Sequence, residues 1–556
     1  MTTTDVGPEA VLPGFVPIPG EDAARYRDLG MWEGRTLAEV FDATAARFPD
    51  DIACIAAGEQ LTYRELQDRS LRVARGLQEL GIEARDRIVV QLPNVIDFVD
   101  LCLACFRVGA IPVMALPPHR DHEIQHLISL SDAIAYAIPA EHRGYDYQDL
   151  AERMAARAPS LHHVLVAGDS IRPGFVSMAS LRKQPPQDTS SGVSADDVAV
   201  LLLSGGTTGL PKLIPRTHDD YAYNARVSAE ICRLDRETVY MATLPVSHNF
   251  PLACPGLLGT FLVGGRTVIA SGTEPETAFA LIQEHGVTCT ALVPALAIRW
   301  MDSPSRAGYD LSSLRLLQVG GARLNPEAAR RVTPTLGCTL QQVFGMAEGL
   351  LNFTRFDDPE DVIIDTQGRP ASAQDEIRVV DDSDRDVPPG EPGHLLARGP
   401  YTIRGYFRAE EHNARAFTRD GFYRTGDVVR IHPSGNLVVE GREKDLINRG
   451  GEKISAEEIE NLLLAHPAIF NAAAVSMPDP VLGERICTYV VLRDGCSLTL
   501  EELCEFVATR DVARFKYPER LEVVETLPVT NVGKIDKKAL REDIAARMAA
   551  AQKDNQ

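Results

Sequence analysis

Ser204-Gly-Gly-Thr-Thr-Gly-Leu-Pro-Lys212 follows directly on the apolar run Val198-Ala-Val-Leu-Leu-Leu203. Its chemistry is that of an anion holder. Glycines let a backbone come close to a phosphate, and loop N–H groups with the hydroxyls of Ser204, Thr207 and Thr208 donate to its oxygens. The spacing departs from G-x-x-x-x-G-K-[ST], in which lysine follows the last glycine directly. Here Leu210 and Pro211 separate Gly209 from Lys212, and Leu213 stands where serine or threonine belongs. Pro211 has no N–H to donate and fixes its own φ. Composition alone fits two readings: a phosphate loop of another kind, or a flexible turn between a strand and a helix.

Other reactive side chains are scattered along the chain. Glu348 is a carboxylate in a glycine-bearing loop, and Mg²⁺ takes few carboxylates beside phosphate oxygens. Lys534 lies in Asn531-Val-Gly-Lys-Ile-Asp536, a turn-like loop close to Lys537 and Lys538; by composition alone such a lysine faces solvent. His248 and Asn249 precede Phe250-Pro251. No motif pairs Cys254 with a base, so it is no nucleophile. Cys102-Leu-Ala-Cys105 has redox or zinc spacing, but it sits in the apolar stretch Phe98–Phe106 without a second Cys/His pair of matching spacing. It reads as buried thiols on a core helix.

The elements that must position these groups have an α/β order. Leu61–Leu80 has apolar residues at helical spacing and ends at Gly81. Arg87–Leu92 reads as a buried strand stopped by Pro93-Asn94, followed by a helix through Leu103 and Phe106 and a strand over Ile111–Leu116. Such alternation predicts a parallel sheet covered by helices. Residues 170–196 are polar and read as a surface connection. Three later strands end in unusual loops: Val198–Leu203 at the loop above, Leu314–Val319 at Gly320-Gly321-Ala322, and Thr339–Val343 at Phe344-Gly345-Met346-Ala347-Glu348-Gly349. Ligands of open α/β sheets bind beyond the carboxyl ends of strands, so the three loops are expected around one site, which favours the phosphate reading. Beyond a β segment over Asp427–Gly441 with a turn at Pro433–Asn436, the texture changes. Ser455-x-x-Glu458 and Thr499-x-x-Glu502 are capping-box signals. The expected layout is a large domain over residues 1–440 and a small α+β domain over residues 441–556.

The bulk properties exclude several classes. A chain of 556 residues supports two or more domains with substantial cores. A hydrophobic content of 44% and a charged content of 24% are ordinary for a globular protein. The net charge of -21 argues against a nucleic-acid or anionic-membrane partner. No secretory signal is expected from the first residues, and no apolar run is long enough to span a bilayer. Ten scattered cysteines point to a reducing cytoplasm.

Five motifs in order give the chain a resemblance to the adenylate-forming superfamily of acyl-CoA synthetases, luciferases and peptide-synthetase adenylation domains. They are Ser204–Lys212, Gln342-Val-Phe-Gly-Met-Ala-Glu348, Tyr423-Arg-Thr-Gly-Asp427, Gly441-Arg442 and Leu527–Lys534, and the match runs from about Arg35 to about Arg541. Pro215-Arg-Thr-His-Asp-Asp220, Ser247–Leu252, Leu340–Met346 and Asn448–Lys453 resemble the aryl-acid branch, the stand-alone AMP ligases of siderophore biosynthesis.

The resemblance implies a reaction in two halves. A carboxylate attacks the ATP α-phosphorus, giving an acyl adenylate and pyrophosphate; the acyl group then passes to the phosphopantetheine thiol of an aryl carrier protein. Both reactants of the first half are anions, which calls for cations and N–H donors. By the resemblance, Ser204, Gly205, Gly206, Thr207, Thr208, Gly209 and Lys212 cradle the ATP phosphates, and Glu348 holds Mg²⁺. Gly320, Gly321, Ala322, Val343 and Gly345 line the nucleotide site and Phe344 stacks on adenine, where most relatives have tyrosine. Asp427 accepts from the ribose hydroxyls, with Arg442 nearby. Lys534 bridges the carboxylate and α-phosphate as the catalytic lysine, and His248 hydrogen-bonds beside it. Lys444 is the hinge of a mobile small domain, and rotation about it brings Lys453 to the site for transfer.

The aryl-acid pocket is expected from His248, Asn249, Phe250, Cys254, Gly321, Met346, Leu351 and Lys534. Asn249 meets the ortho hydroxyl. Members acting on 2,3-dihydroxybenzoate usually carry Ser and Val where this chain has Cys254 and Leu351, so salicylate is the favoured acid. A 2,3-dihydroxybenzoate ligase, or an aryl-CoA synthetase using free coenzyme A, remains the alternative. Intact Lys534, Glu348 and Asp427 argue against a non-catalytic nucleotide-binding scaffold.

Overall fold

The computed structural model describes residues 12–186, 192–204, 211–442, 445–449, 452–479, 482–510, 514–530 and 534–554. Two sheets with parallel cores make up most of the chain. In the first, Ile52–Ala56, Arg266–Ile269, Val239–Ala242, Cys289–Leu292, Leu316–Gly320 and Thr339–Met346 run parallel in that spatial order, with antiparallel strands at both edges. In the second, Val198–Leu203, Ile111–Met114, Arg87–Val90, Ala135–Pro139 and His163–Ala167 run parallel. Their strands are apolar runs with buried side chains, as strands covered on both faces require.

Helix Tyr63–Glu79 begins two residues after Leu61, because Thr62 caps it in a complete box with Glu65; such a cap is worth about 1 kcal/mol. Helix Ile96–Val108 buries Cys102 and Cys105, as its apolar texture predicts. Residues 170–196 are more than a surface connection: Val176–Ser177 adds a strand beside His163–Ala167, and the short helix Met178–Leu181 buries both its terminal side chains.

A four-stranded antiparallel sheet follows, ending in the hairpin Tyr423–Ile431 and Leu437–Arg442. The last sheet draws only on later residues: Leu446–Arg449, Glu452–Ser455, Ile469–Asp479, Gly483–Leu492 and Arg520–Val523. It has cores of its own around Ile459, Leu463 and Val490, and around Tyr489, Leu540 and Ile544. Ser455 caps helix Ala456–Leu464 by accepting from the Glu458 N–H, and Thr499 makes a complete box with Glu502. No helix among the described residues is long and apolar enough to cross a membrane.

Candidate active site

Two of the three strand-end loops, at Gly320–Ala322 and Phe344–Gly349, meet in one cleft with Ser204 and Lys212, which flank the third. Its two lobes enclose about 740 Å³ and about 690 Å³. Ser204, His248, Asn249, Gly321, Val343, Gly345, Asp427, Arg442 and Lys534 line both lobes. Ala322 and Phe344 face the first; Lys212, Phe250, Cys254, Met346, Glu348 and Leu351 face the second. Gly320 lies beneath: a Cβ there would stand 3.1 Å from the Phe250 ring. Gly205–Gly209, Lys444 and the Lys453 side chain lie outside the described residues.

The glycine- and hydroxyl-rich segment joins two strands rather than a strand and a helix. Leu213–Thr217 returns antiparallel to Val198–Leu203, and helix His218–Ile231 begins only afterwards. Ser204 and Lys212 close the base of the hairpin. The Ser204 N–H donates to the Lys212 carbonyl at 3.0 Å, and the Lys212 N–H to Ser204 Oγ at 3.0 Å. Lys212 Nζ lies 5.6 Å from the Tyr406 ring centroid, a cation–π distance.

Tyr406 also reaches Glu348. Its hydroxyl donates to Glu348 Oε1 at 2.7 Å and lies 2.9 Å from the Tyr423 hydroxyl. Burial pushes the Glu348 carboxyl up, opposed by the Tyr406 donor and the Arg442 charge. Asp427 and Arg442 pair across the terminal hairpin and form an ion pair at 3.0 Å. Burial raises the Asp427 carboxyl, while Arg442 and Lys534 pull it back. Lys534 sits in a short loop closed by the Thr530 N–H donating to its carbonyl at 2.6 Å. Its neighbour Lys537 does not face solvent: it pairs with Glu460 at 2.8 Å, and although burial works against its charge, Glu460 and Asp445 raise its pKa overall.

His248 caps helix Asn249–Ala253, its Nδ1 accepting from the Phe250 N–H at 3.3 Å. Burial, and then the Lys534 charge, lowers its pKa to about 4. At neutral pH the ring is therefore uncharged, with its proton on Nε2. Asn249 is held from both ends. Its Oδ1 accepts from the Tyr221 hydroxyl at 2.8 Å, and its Nδ2 donates to Cys254 Sγ at 3.3 Å. Burial pushes the Cys254 thiol up to about 12, which agrees with its reading as a wall residue rather than a nucleophile.

Several further residues belong to this frame. Arg216, fully buried, pairs with Asp220 at 2.7 Å, donates to the Ala347 carbonyl at 3.0 Å and reaches Asn224. Asn224 in turn donates to the Ala253 carbonyl at 2.7 Å. One arginine thus ties the Glu348 loop to the Cys254 turn. Pro215–Asp220 stood out in the sequence as a motif, but only the fold gives Arg216 a task. Tyr406 and Tyr221 carried no signal, since a lone tyrosine reads as core.

The arrangement brings a neutral histidine, an asparagine and an apolar wall together with three cations, Lys212, Arg442 and Lys534, and two raised carboxyls, Glu348 and Asp427. That suits bringing two anions together.

Comparison with known proteins agrees with this chemistry. The model of the AMP-binding enzyme family matches residues 41–407, and that of the AMP-binding enzyme C-terminal domain matches residues 458–534. A 2,3-dihydroxybenzoate-AMP ligase of Bacillus subtilis is 53% identical, over 97% of this chain and 99% of its own. A Streptomyces salicylyl-CoA synthase / salicylate adenylyltransferase is 53% identical, over 96% and 98%. A salicyl-AMP ligase / salicyl-S-ArCP synthetase of Mycobacterium tuberculosis is 51% identical, over 96% and 95%.

Proposed function

We propose that this chain, which belongs to the AMP-binding enzyme family, is an adenylate-forming aryl-acid ligase that favours salicylate. An oxygen of the acid's carboxylate bonds to the α-phosphorus of ATP as the bond to the pyrophosphate oxygen breaks. The thiolate of a carrier protein's phosphopantetheine arm then attacks the acyl carbon, and AMP leaves. The observation that carries this reading is the meeting of the two lobes at Lys534, with His248, Asn249, Asp427 and Arg442 lining both.

In this reading Lys534 bridges the carboxylate and the α-phosphate, where two negative groups must approach. Neutral His248 offers its Nε2–H to an oxygen there. Ser204 and Lys212 hold the β- and γ-phosphates together with the loop between them, and Asp427 accepts from the ribose hydroxyls while Arg442 opposes the burial that raises its carboxyl. Gly320, Gly321, Ala322, Val343 and Gly345 leave room for the nucleotide, and Phe344 covers adenine. Phe250, Met346, Cys254 and Leu351 wall the aryl ring. Mg²⁺ fits Glu348: a single hard carboxylate suits an ion whose other ligands are phosphate oxygens and water. When bound, the ion neutralises charge on the leaving phosphates.

The expected division between residues 440 and 441 falls inside strand Leu437–Arg442, so we place the domain boundary just after that strand, with the hinge at Lys444. Its support is that the last strand of the antiparallel sheet ends at Arg442 and the next sheet starts at Leu446. The names of the relatives support both aryl acids, and one of them names coenzyme A. Pyrophosphate exchange over a panel of benzoic acids tests the reading. Salicylate-dependent exchange without coenzyme A, followed by loading of a carrier protein, is the expected result. Exchange with no benzoic acid would overturn it.

A further inference from the structure

Behind Leu351 lies a carboxylate that adenylation does not use. Asp375 Oδ2 accepts from the Tyr401 hydroxyl and from the Ser372 N–H at 3.0 Å. Its Oδ1 is sealed from solvent without a hydrogen-bond partner, packed so closely on Gly399 that a Cβ there would stand 2.3 Å away. Tyr401 is fully buried. Its oxygen, while donating to Asp375, accepts the N–H of Leu351 at 3.4 Å. The carbonyl of the same Leu351 accepts from the Ala371 N–H at 2.8 Å. The backbone of one cleft residue is thus gripped from two sides by residues outside the cleft.

This backbone needs a grip. Leu350 has φ +56, the left-handed region, which crowds a residue that carries a Cβ. The pairing of Thr339–Met346 with Gly349–Phe353 slips register between Gly345 and Met346, next to this point. On the far side the Leu351 side chain presses on Gly345, where a Cβ would meet its Cδ2 at 2.5 Å. A small shift of the Leu350–Leu351 backbone therefore moves the Leu351 side chain within the cleft, and strain of this kind persists only where surrounding contacts over-determine it.

We infer that Tyr401 and Asp375 are positioning residues for specificity: they hold the strained Leu350–Leu351 backbone so that the Leu351 side chain closes the aryl-acid end of the cleft. The inference rests on the proposed aryl-acid pocket. It extends the residues that set acid preference to two that never touch the acid.

The test uses four variants of the full chain: Leu351→Ala, Tyr401→Phe, Asp375→Ala and Asp375→Asn. For each, pyrophosphate exchange gives KM for ATP and for the acid, and the ratio of kcat/KM for salicylate over 2,3-dihydroxybenzoate. Tyr401→Phe is expected to raise KM for salicylate and lower the ratio, each by about tenfold, the scale of one lost buried hydrogen bond. KM for ATP stays within about twofold, which also reports an intact fold. Asp375→Ala should repeat this pattern. Asp375→Asn keeps an oxygen for the Tyr401 hydroxyl and the Ser372 N–H, and should retain most of the ratio. An unchanged ratio in both Tyr401→Phe and Asp375→Ala, with Leu351→Ala lowering it, would overturn the inference and leave the pocket standing. Should Leu351→Ala itself leave the ratio unmoved, the pocket assignment fails and takes the inference with it. If Tyr401→Phe cannot be obtained folded, the two Asp375 variants decide in the same way.

Discussion

Lys534 lies against Gly321: a Cβ built on Gly321 would stand 3.4 Å from Lys534 Cε and 3.9 Å from Nζ. Gly321 has φ +83 and directly follows a strand of the first sheet, while Lys534 belongs to a loop beside the last sheet. The ammonium is therefore delivered to the cleft by one unit and seated on the bare backbone of another.

That relationship predicts a division of labour. Lys534→Ala removes the charge that bridges the two anions of adenylation, but takes nothing from thiol attack on a finished adenylate. Pyrophosphate exchange should fall by about 100-fold or more, the scale of a lost transition-state charge contact. Single-turnover transfer from a supplied salicyl adenylate to the carrier protein should stay within about threefold of wild type. Equal losses in both halves would count against the role given to Lys534.

If the small domain must rotate between the halves, the rotation passes through the short stretch between Arg442 and Leu446. Lys444→Pro fixes one φ in that stretch. Adenylate formation should persist in this variant while carrier loading collapses. Loading at the wild-type rate would move the hinge elsewhere.

The gathering of the cleft was legible in the sequence because loop chemistry and strand polarity are local. Gly320-Gly321 and Phe344–Gly349 follow parallel strands, and parallel strands put their ends on one side. The fate of Ser204–Lys212 was less legible. Leu213-Ile-Pro-Arg216 is a short run before the capping threonine Thr217, and nothing local distinguishes a returning strand from the start of a helix. The Asp427–Arg442 pair depends on hairpin register, which a bulge between Val428 and Val429 shifts by one residue. Contacts of long sequence separation left no trace at all. Arg216 reaches Ala347 across 131 residues, and Tyr406 reaches Glu348 across 58. The ion pair of Lys537 with Glu460, which lies in another helix, left no more trace.

The capping histidine carries a pH signature. The folded pKa of His248 lies at about 4, below the ordinary value of about 6.5. A depressed histidine contributes its full stability above the unfolded pKa and loses it as pH falls toward the folded one. His119 and His218, also held near 4 by burial, act in the same direction. His248→Asn keeps an oxygen to cap the Phe250 N–H and removes one of the three titrations. Tm should therefore drop less between pH 7.5 and pH 5 in the variant than in the wild type, two values that bracket the ordinary histidine pKa of about 6.5. A drop of the same size would show that the ring is charged in the folded protein or titrates without cost.

The choice of acid turns on the wall formed by Cys254 and Leu351. Salicylate and 2,3-dihydroxybenzoate share the ortho hydroxyl, so Asn249 cannot tell them apart. The 3-hydroxyl needs a partner, and the Cys254 sulfur is a weak donor and acceptor already taken by the Asn249 amide at 3.3 Å. Leu351 adds a methylene over valine, and pressed on Gly345 it has little room to withdraw. An unpaired buried hydroxyl costs about 1–3 kcal/mol, and one methylene of crowding adds a similar amount. Salicylate should be preferred about ten- to a few-hundredfold in kcat/KM. Cys254→Ser/Leu351→Val supplies a hydroxyl partner and removes the methylene, so the ratio should move toward 2,3-dihydroxybenzoate by about tenfold or more. Asn249 keeps its second anchor on the Tyr221 hydroxyl at 2.8 Å, so KM for salicylate should change little in the double variant. A wild type that favours 2,3-dihydroxybenzoate about tenfold would overturn the choice of acid and leave aryl-acid adenylation intact.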